Sequence, residues 1–394
     1  MKTNLTDGVS WVGFVDWNVR DFHGYVTPRG SSYNAYLVED EKIAVIDTVK
    51  AQYVGDFLER VAAKVSLEKV DYLICNHAEP DHTGGFPVAL KAFPNAVVVC
   101  NAKCQKALSQ HYDVSTWKFK VIKDTETLSL GSKTLQFFDT PLVHWPESMV
   151  TYYVEKEILF SMDAFGQHYA SSYRFDDEAD MRAIIQEAKI YYANIVLPFE
   201  RTVGNTLKRL GALKISMIAP SHGVIWRSHI PEILEAYTAW RVSKPVKKVV
   251  IAVSSMWNST REMAKAIAAG AEESDVNVHL MDMAAANNTQ FVTDVMDAAA
   301  VAFGSPTLNL GIMPRMASAL TYLRGLKPKD KVGLAFGSYG WVPKGSDEVA
   351  QYMTAMKMDF ICEPIVCQFK PDEEILEKCR EAGRSLAKIA MQAD

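Results

Sequence analysis

The sequence predicts an α/β protein of two domains: an αββα sandwich over residues 1–245, then a doubly wound parallel five-stranded sheet over 246–394. Three observations carry this reading. Strand-like and helix-like segments alternate along the whole chain, with short β-branched and aromatic runs set off by Gly, Pro and acidic turns. Trp240-Arg241-Val242-Ser243-Lys244-Pro245-Val246-Lys247-Lys248 is basic, polar and broken by a proline, which suits a linker. Beyond it the alternation becomes regular, beginning with Val249–Val253, a continuous apolar run of the kind buried parallel strands show.

Composition narrows the function classes. A chain of 394 residues can hold two cores, and 48% hydrophobic with 23% charged residues is ordinary for a globular protein. A net charge of −5 argues against nucleic acid as a main partner. No apolar run has the length of a membrane span, and Met1 to Ser10 lacks an apolar signal core, so a cytoplasmic protein is expected. None of the six cysteines forms a C-x-x-C pair, so neither a rubredoxin-type centre nor an iron–sulfur cluster is supported, and electrons for any redox chemistry must come from another molecule. Eight of the nine histidines precede residue 230, which places metal chemistry in the first domain.

In the first domain, Ser10–Val15, Ser32–Val38 and Lys42–Asp47 read as strands. Gln52–Lys64 reads as a helix with Val54, Phe57, Leu58 and Val61 on one face. Tyr72 to Cys75 form a buried strand that runs into Asn76-His77-Ala78-Glu79-Pro80-Asp81-His82-Thr83-Gly84-Gly85. Four potential metal ligands fall within six residues there. In an extended loop alternate residues point the same way, which puts His77 with Glu79; Asp81 and His82 diverge and suit a second centre. A helix follows over Phe86–Lys91. Val97–Val99, Leu135–Phe138, Met149–Val154 and Ile158–Ser161 are further strands, and 178–192 and 204–213 further helices. His144, Asp163 and His222 sit at strand ends; taken singly, each also suits packing, a turn or a loop.

In the second domain, Arg261–Glu273, 314–324, 346–358 and 372–391 read as helices, and Val276–Met281, Ala299–Phe303, Val332–Phe336 and Phe360–Val366 as strands. Ligands of such sheets sit at the strand carboxyl ends. Three loops there are informative: Ser254-Ser255-Met256-Trp257-Asn258-Ser259-Thr260, Ser305-Pro306-Thr307-Leu308-Asn309 and Gly337-Ser338-Tyr339-Gly340-Trp341. Hydroxyls and helix amides suit a phosphate, and the lack of a P-loop lysine disfavours a triphosphate. Glycines let the backbone approach a flat ring, on which Trp257, Tyr339 or Trp341 can stack. Aromatic loops for a protein partner are the lesser reading. Lys344 could place a positive charge near the bound ring or near a docking acidic protein.

His77, Glu79, Asp81 and His82 resemble the H-x-H-x-D-H signature of the metallo-β-lactamase superfamily, with Glu79 at the position of a second His. The three loops resemble the flavin mononucleotide loops of flavodoxins. Joined on one chain, the two halves resemble the flavodiiron proteins over nearly the whole sequence. That resemblance implies a non-haem diiron centre in which His77, Glu79 and His144 hold one iron, Asp81, His82 and His222 the other, and Asp163 bridges them. It implies FMN in the second domain, and His23, His168 and Tyr192 as groups beside the irons, although a surface turn for His23 and a core tyrosine for Tyr192 are rival readings. It implies an oxidoreductase that reduces O2 to water, and NO to N2O as an alternative or second activity. It implies electrons from an external donor such as rubredoxin, and a head-to-tail homodimer or dimer of dimers. Two other readings of the same residues are a two-zinc hydrolase and a non-catalytic flavin electron carrier.

Overall fold

A computed structural model describes residues 3–393. Met1 and Lys2, part of the stretch read above for a signal core, lie outside the described residues, as does Asp394. The chain forms two compact units, residues 3–191 with 199–237, and residues 192–198 with 238–393.

The first unit is built on two sheets. One runs in the order Asn4–Thr6, Val9–Trp11, Tyr36–Val38, Ile43–Ile46, Val70–Ile74, Val97–Asn101, Phe119–Ile122; the other runs Thr127–Ser129, Thr134–Asp139, Met149–Tyr153, Ile158–Met162, Met217–Pro220. The first sheet is antiparallel up to Ile43–Ile46 and parallel beyond it. The second is antiparallel except for the parallel pairing of Ile158–Met162 with Met217–Pro220. The two-residue period of a strand sorts the side chains. Ala44, Ile46, Ile74 and Val99 join Leu135, Phe137, Tyr153 and Phe160 in the core between the sheets. Val45, Leu73 and Val98 face the other way, onto Phe57 and Val61 of helix Val54–Ala62, Phe86 and Ala89 of helix Phe86–Ala92, and Cys104 and Leu108 of helix Ala102–His111. Fully burying one such aromatic side chain contributes roughly 1.5–3 kcal/mol.

Several elements differ from the sequence reading. Ser10–Val15 is two strands, Val9–Trp11 and Phe14–Asp16, and Ser32–Val38 is likewise divided into Ser31–Tyr33 and Tyr36–Val38. Phe14–Asp16 and Ser31–Tyr33 pair as a separate two-stranded ribbon. Helix Ala102–His111 sits where no helix was expected, capped by the Asn101 side chain, which accepts from the Cys104 amide at 2.9 Å. Strand Phe119–Ile122 and helix Ile230–Arg241 are also additional.

The second unit carries an all-parallel sheet in the order Asn277–Asp282, Val246–Val253, Ala298–Gly304, Val332–Tyr339, with Asp359–Phe360 and Ile365–Gln368 both pairing to Val332–Tyr339. Five sheet positions are filled as expected, but Phe360–Val366 is not one strand. Pro364 falls in the gap, where it can give no ladder hydrogen bond. Helix Asn288–Met296, not expected, starts on Asn287, whose side chain accepts from the Gln290 amide at 2.8 Å. No described helix is long and apolar enough to cross a membrane.

Candidate metal centre and flavin pocket

In the first unit, strand ends deliver side chains to one place. Strand Val70–Ile74 leads to His77 and Glu79; Ile158–Met162 ends one residue before Asp163; Met217–Pro220 ends two before His222. The stretch 77–85 is not extended throughout. Pro80–Thr83 is a single helical turn with Pro80 at its start, where proline loses no hydrogen bond. That turn presents Asp81 and His82 to the same side as His222. Gly84 and Gly85 are required by close approach: a Cβ on Gly84 would stand 2.7 Å from the Ala51 amide nitrogen, and one on Gly85 2.9 Å from Thr48 Oγ1.

Seven side chains converge in two groups, His77, Glu79, His144 and Asp163 in one, Asp81, His82 and His222 in the other. His77 Nε2 lies 3.1 Å from Glu79 Oε2 and 3.3 Å from Asp163 Oδ2. His144 Nε2 lies 3.2 Å from Glu79 Oε2 and 3.1 Å from Asp163 Oδ2. On the other side, His82 Nε2 and His222 Nε2 each lie 3.2 Å from Asp163 Oδ1, and His222 Nε2 is 3.2 Å from Asp81 Oδ2. Asp163 thus offers one oxygen to each group, the geometry of a bridge. Donors on a metal with bonds of about 2.1 Å stand about 3.0 Å apart in an octahedron and about 3.4 Å apart in a tetrahedron. The observed separations fall between.

Two metal ions fit these residues. Asp81 Oδ1, His82 Nε2 and Asp163 Oδ1 are buried and make no hydrogen bond, although the latter two lie within 3.2 Å of each other. Their lone pairs face a common point rather than one another. Burial alone would push the Asp163 carboxyl up, but the imidazoles around it, His82 foremost, hold it well below the usual range, so it is a ready anionic ligand. The donors are four imidazoles and three carboxylates with no thiolate, a set at home with iron.

Outer partners fix the rings. Glu147, buried, accepts from His77 Nδ1 at 2.8 Å, and the Ser32 carbonyl accepts from His222 Nδ1 at 2.6 Å, so both rings aim Nε2 inward. The sequence reading missed Glu147; its place three residues after His144 was the available signal. His23 is half exposed, with Nε2 2.9 Å from Glu79 Oε1, and that contact raises its pKa. His168 is buried, with Nδ1 2.8 Å from Ser31 Oγ and its ring 5.2 Å from that of His222. Burial, with His222 adding, keeps its pKa well below the ordinary value. Tyr192 departs from expectation. Its ring packs on Trp240 at 5.6 Å, whereas Tyr191 lies 4.9 Å from the His168 ring and 5.9 Å from that of His222. Successive residues of a helix point about 100° apart, so only one of the pair can face the site.

In the second unit a cleft of about 700 Å³ opens at the strand carboxyl ends, large enough for a nucleotide-sized ligand. Met256, Trp257, Asn258 and Ser259 line it, with 306–309 and 338–341 from the other two loops. Trp257 and Trp341 are 88% and 81% exposed, two flat faces on which a planar ring can stack. Ser254, Ser255, Thr260, Ser305 and Gly337 are not among the lining residues. They build the floor: Thr260 Oγ1 and Ser338 Oγ are 2.8 Å apart, and Ser305 Oγ accepts from the Met313 amide at 3.0 Å. The Ser254 and Ser255 hydroxyls are buried without a hydrogen bond, beside the start of helix Ser259–Ala271, where a phosphate would be received. Phe369 and Lys370, just past strand Ile365–Gln368, also line the cleft and were not foreseen. Lys344 does not line it; its ammonium is 3.5 Å from Asp347.

Both halves of the chain match known families. Residues 32–223 match the family described as ODP family beta lactamase, and residues 251–383 match flavodoxin. The nitric oxide reductase of Moorella thermoacetica is 40% identical over 388 residues, 97% of each chain. The rubredoxin-oxygen oxidoreductase of Megalodesulfovibrio gigas is 38% identical over 391 residues, 98% of this chain and 97% of that one. The crystal structure of the flavodiiron protein from Giardia intestinalis superposes with a TM-score of 0.96 at 39% identity, covering 99% of this chain and 97% of that one. With both halves matched and relatives this similar along their full length, the chain belongs to the flavodiiron protein family.

Proposed function

We propose that this protein is an oxidoreductase that reduces O2 to water, and NO to N2O as an alternative or second activity, with electrons passed through FMN to a pair of irons. The observation that carries this is the placement of Asp163, one carboxylate oxygen toward each of two histidine–carboxylate groups. When bound, the two irons supply one electron each and the flavin two, which equals the four electrons that turn O2 and four protons into two waters; two NO need only two electrons and two protons to give N2O and one water.

The chain's own residues have distinct tasks in this reading. His77, Glu79 and His144 hold one iron, Asp81, His82 and His222 the other. Glu147 and the Ser32 carbonyl keep the imidazoles of His77 and His222 in the ligating tautomer. His23, at the half-exposed edge and in contact with Glu79, is placed to hand in protons. His168 and Tyr191 wall the pocket beside His222. In the second unit, the 254–260 loop receives the flavin phosphate, and the Trp257 and Trp341 faces hold the ring.

The names of the Moorella and Megalodesulfovibrio relatives support NO and O2 as substrates and a rubredoxin-type donor. All six cysteines are free, which suits a donor outside the chain and a reducing, cytoplasmic setting. A head-to-tail homodimer, or a dimer of such dimers, would bring the flavin of one subunit to the irons of another. Turnover of chemically reduced protein in an oxygen electrode, repeated with an NO electrode, tests the reading alongside metal analysis. Consumption of either gas by iron-loaded protein is expected. Zinc in place of iron, with no consumption of either, would favour the hydrolase instead.

A further inference from the structure

Beside the His222 side of the centre stands a cation whose charge no carboxylate takes up. The Lys50 ammonium lies 4.2 Å from the centre of the Phe22 ring and 4.9 Å from that of Tyr33. Among the described residues it forms no ion pair. Both rings are buried, and both meet His222 edge-on, at 6.0 Å and 5.9 Å between ring centres. Phe22 also touches the rings of His23 and His168.

The position of Lys50 is tied to the ligand loop by the backbone. Thr48 gives its amide and its hydroxyl to the His82 carbonyl, at 2.9 Å and 2.6 Å, and the Gly85 amide donates to the Val49 carbonyl at 2.9 Å. One residue on, the Lys50 carbonyl accepts from the Tyr53 amide at 2.9 Å, which closes a helical turn. The backbone from 48 to 50 is therefore laced to 82–85, which keeps the base of the Lys50 side chain on the metal side.

A half-buried ammonium without a counter-ion is costly unless something offsets it. Ring faces offset part. The rest falls on whatever negative charge enters the pocket. We propose that Lys50 is a fixed positive charge that strengthens binding of small anions at the Asp81–His82–His222 side of the centre and raises the reduction potential of the metals held there. It acts through space, touching neither metal nor ligand. This inference rests on the reading that the seven side chains hold two irons.

The probe is azide, added to the oxidised, iron-loaded full-length protein and followed by its absorption band. Metal analysis of the wild type comes first: absence of iron would sink the functional reading itself, before any variant is compared. Given iron, Lys50→Met is expected to keep both irons and the flavin, to weaken azide binding roughly fivefold, and to lower the midpoint potential of the metals in an anaerobic titration. Lys50→Arg, which keeps the charge, is expected to match wild type in both readouts. Equal azide affinity and potential in wild type and Lys50→Met would overturn the proposal. Equal weakening in Lys50→Met and Lys50→Arg would also overturn it, because packing rather than charge would then be at work. Loss of iron in Lys50→Met would assign the lysine to folding of the loop, and would overturn it too.

Discussion

Glu147 Oε1 accepts from Nδ1 of His77 at 2.8 Å and from the Ala78 amide at 3.2 Å, so one buried carboxylate sets both the ring and the backbone of the first ligand. Asn101 in turn holds the Glu147 carbonyl at 2.8 Å. A carboxylate behind a ligating histidine fixes its tautomer and raises its basicity. Glu147→Gln is expected to cost roughly 10–100-fold in iron affinity, read by chelator competition, with flavin content unchanged.

Asp163 links the two groups of ligands, so its loss separates them. Asp163→Asn is expected to lower iron content below two per chain, remove any magnetic coupling between irons, and cut gas consumption by on the order of 100-fold. FMN stays bound, because none of the flavin loops involves this residue. Electron paramagnetic resonance together with flavin absorbance checks both halves of the statement. Full oxygen consumption by this variant would remove the bridge from the assignment.

Gly337 makes the opposite test in the second unit. A Cβ there would stand 2.1 Å from the Ser305 carbonyl oxygen, which is rigid backbone. Gly337→Ala must push apart two of the three loops that form the cleft. Loss of most of the FMN is expected, with iron content kept. Flavin fluorescence after gel filtration reads the first, elemental analysis the second.

Glu187 gives a pH dependence away from the metal ligands. It is buried against Arg29, its Oε1 3.2 Å from the guanidinium Nε. Burial outweighs that partner and pushes the carboxyl up to about 7, from an ordinary 4.5. Because the folded-state value is the higher one, the native state binds the proton more tightly. Stability from this group is complete below about pH 4.5 and is lost as pH rises through about 7. Glu187→Gln is therefore expected to be more stable than wild type at pH 8, by about 1–2 kcal/mol, and no more stable at pH 4. Thermal melts at the two pH values decide it.

How much of this was legible in the chain depends on the range of the forces involved. The ligand cluster was readable because His77 to His82 are neighbours in sequence, and because strand ends in an α/β protein gather at one edge. The pairing of His77 with Glu79 followed from local geometry. What joins His144, Asp163 and His222 to them is the packing of two sheets, which no local pattern records; there the family resemblance supplied the link. The choice of Tyr192 over Tyr191 failed on a single residue of helical phase, since a five-residue π-turn begins at Tyr192 and both tyrosines are buried. Helix Ala102–His111 escaped notice because its apolar stripe is narrow, with only Cys104 and Leu108 buried. Phe369 and Lys370 follow the final strand, and the rule that located the other three loops covered them as well; placing that strand's end at Val366 hid them.

The central claim is that iron bridged by Asp163 takes electrons that enter through flavin. The most direct test is an anaerobic titration of the four-electron-reduced protein with measured portions of O2. One O2 consumed per chain, with flavin and iron oxidised together and no hydrogen peroxide formed, is the predicted result. Reoxidation of flavin alone, with peroxide released and the metals unchanged, would contradict it.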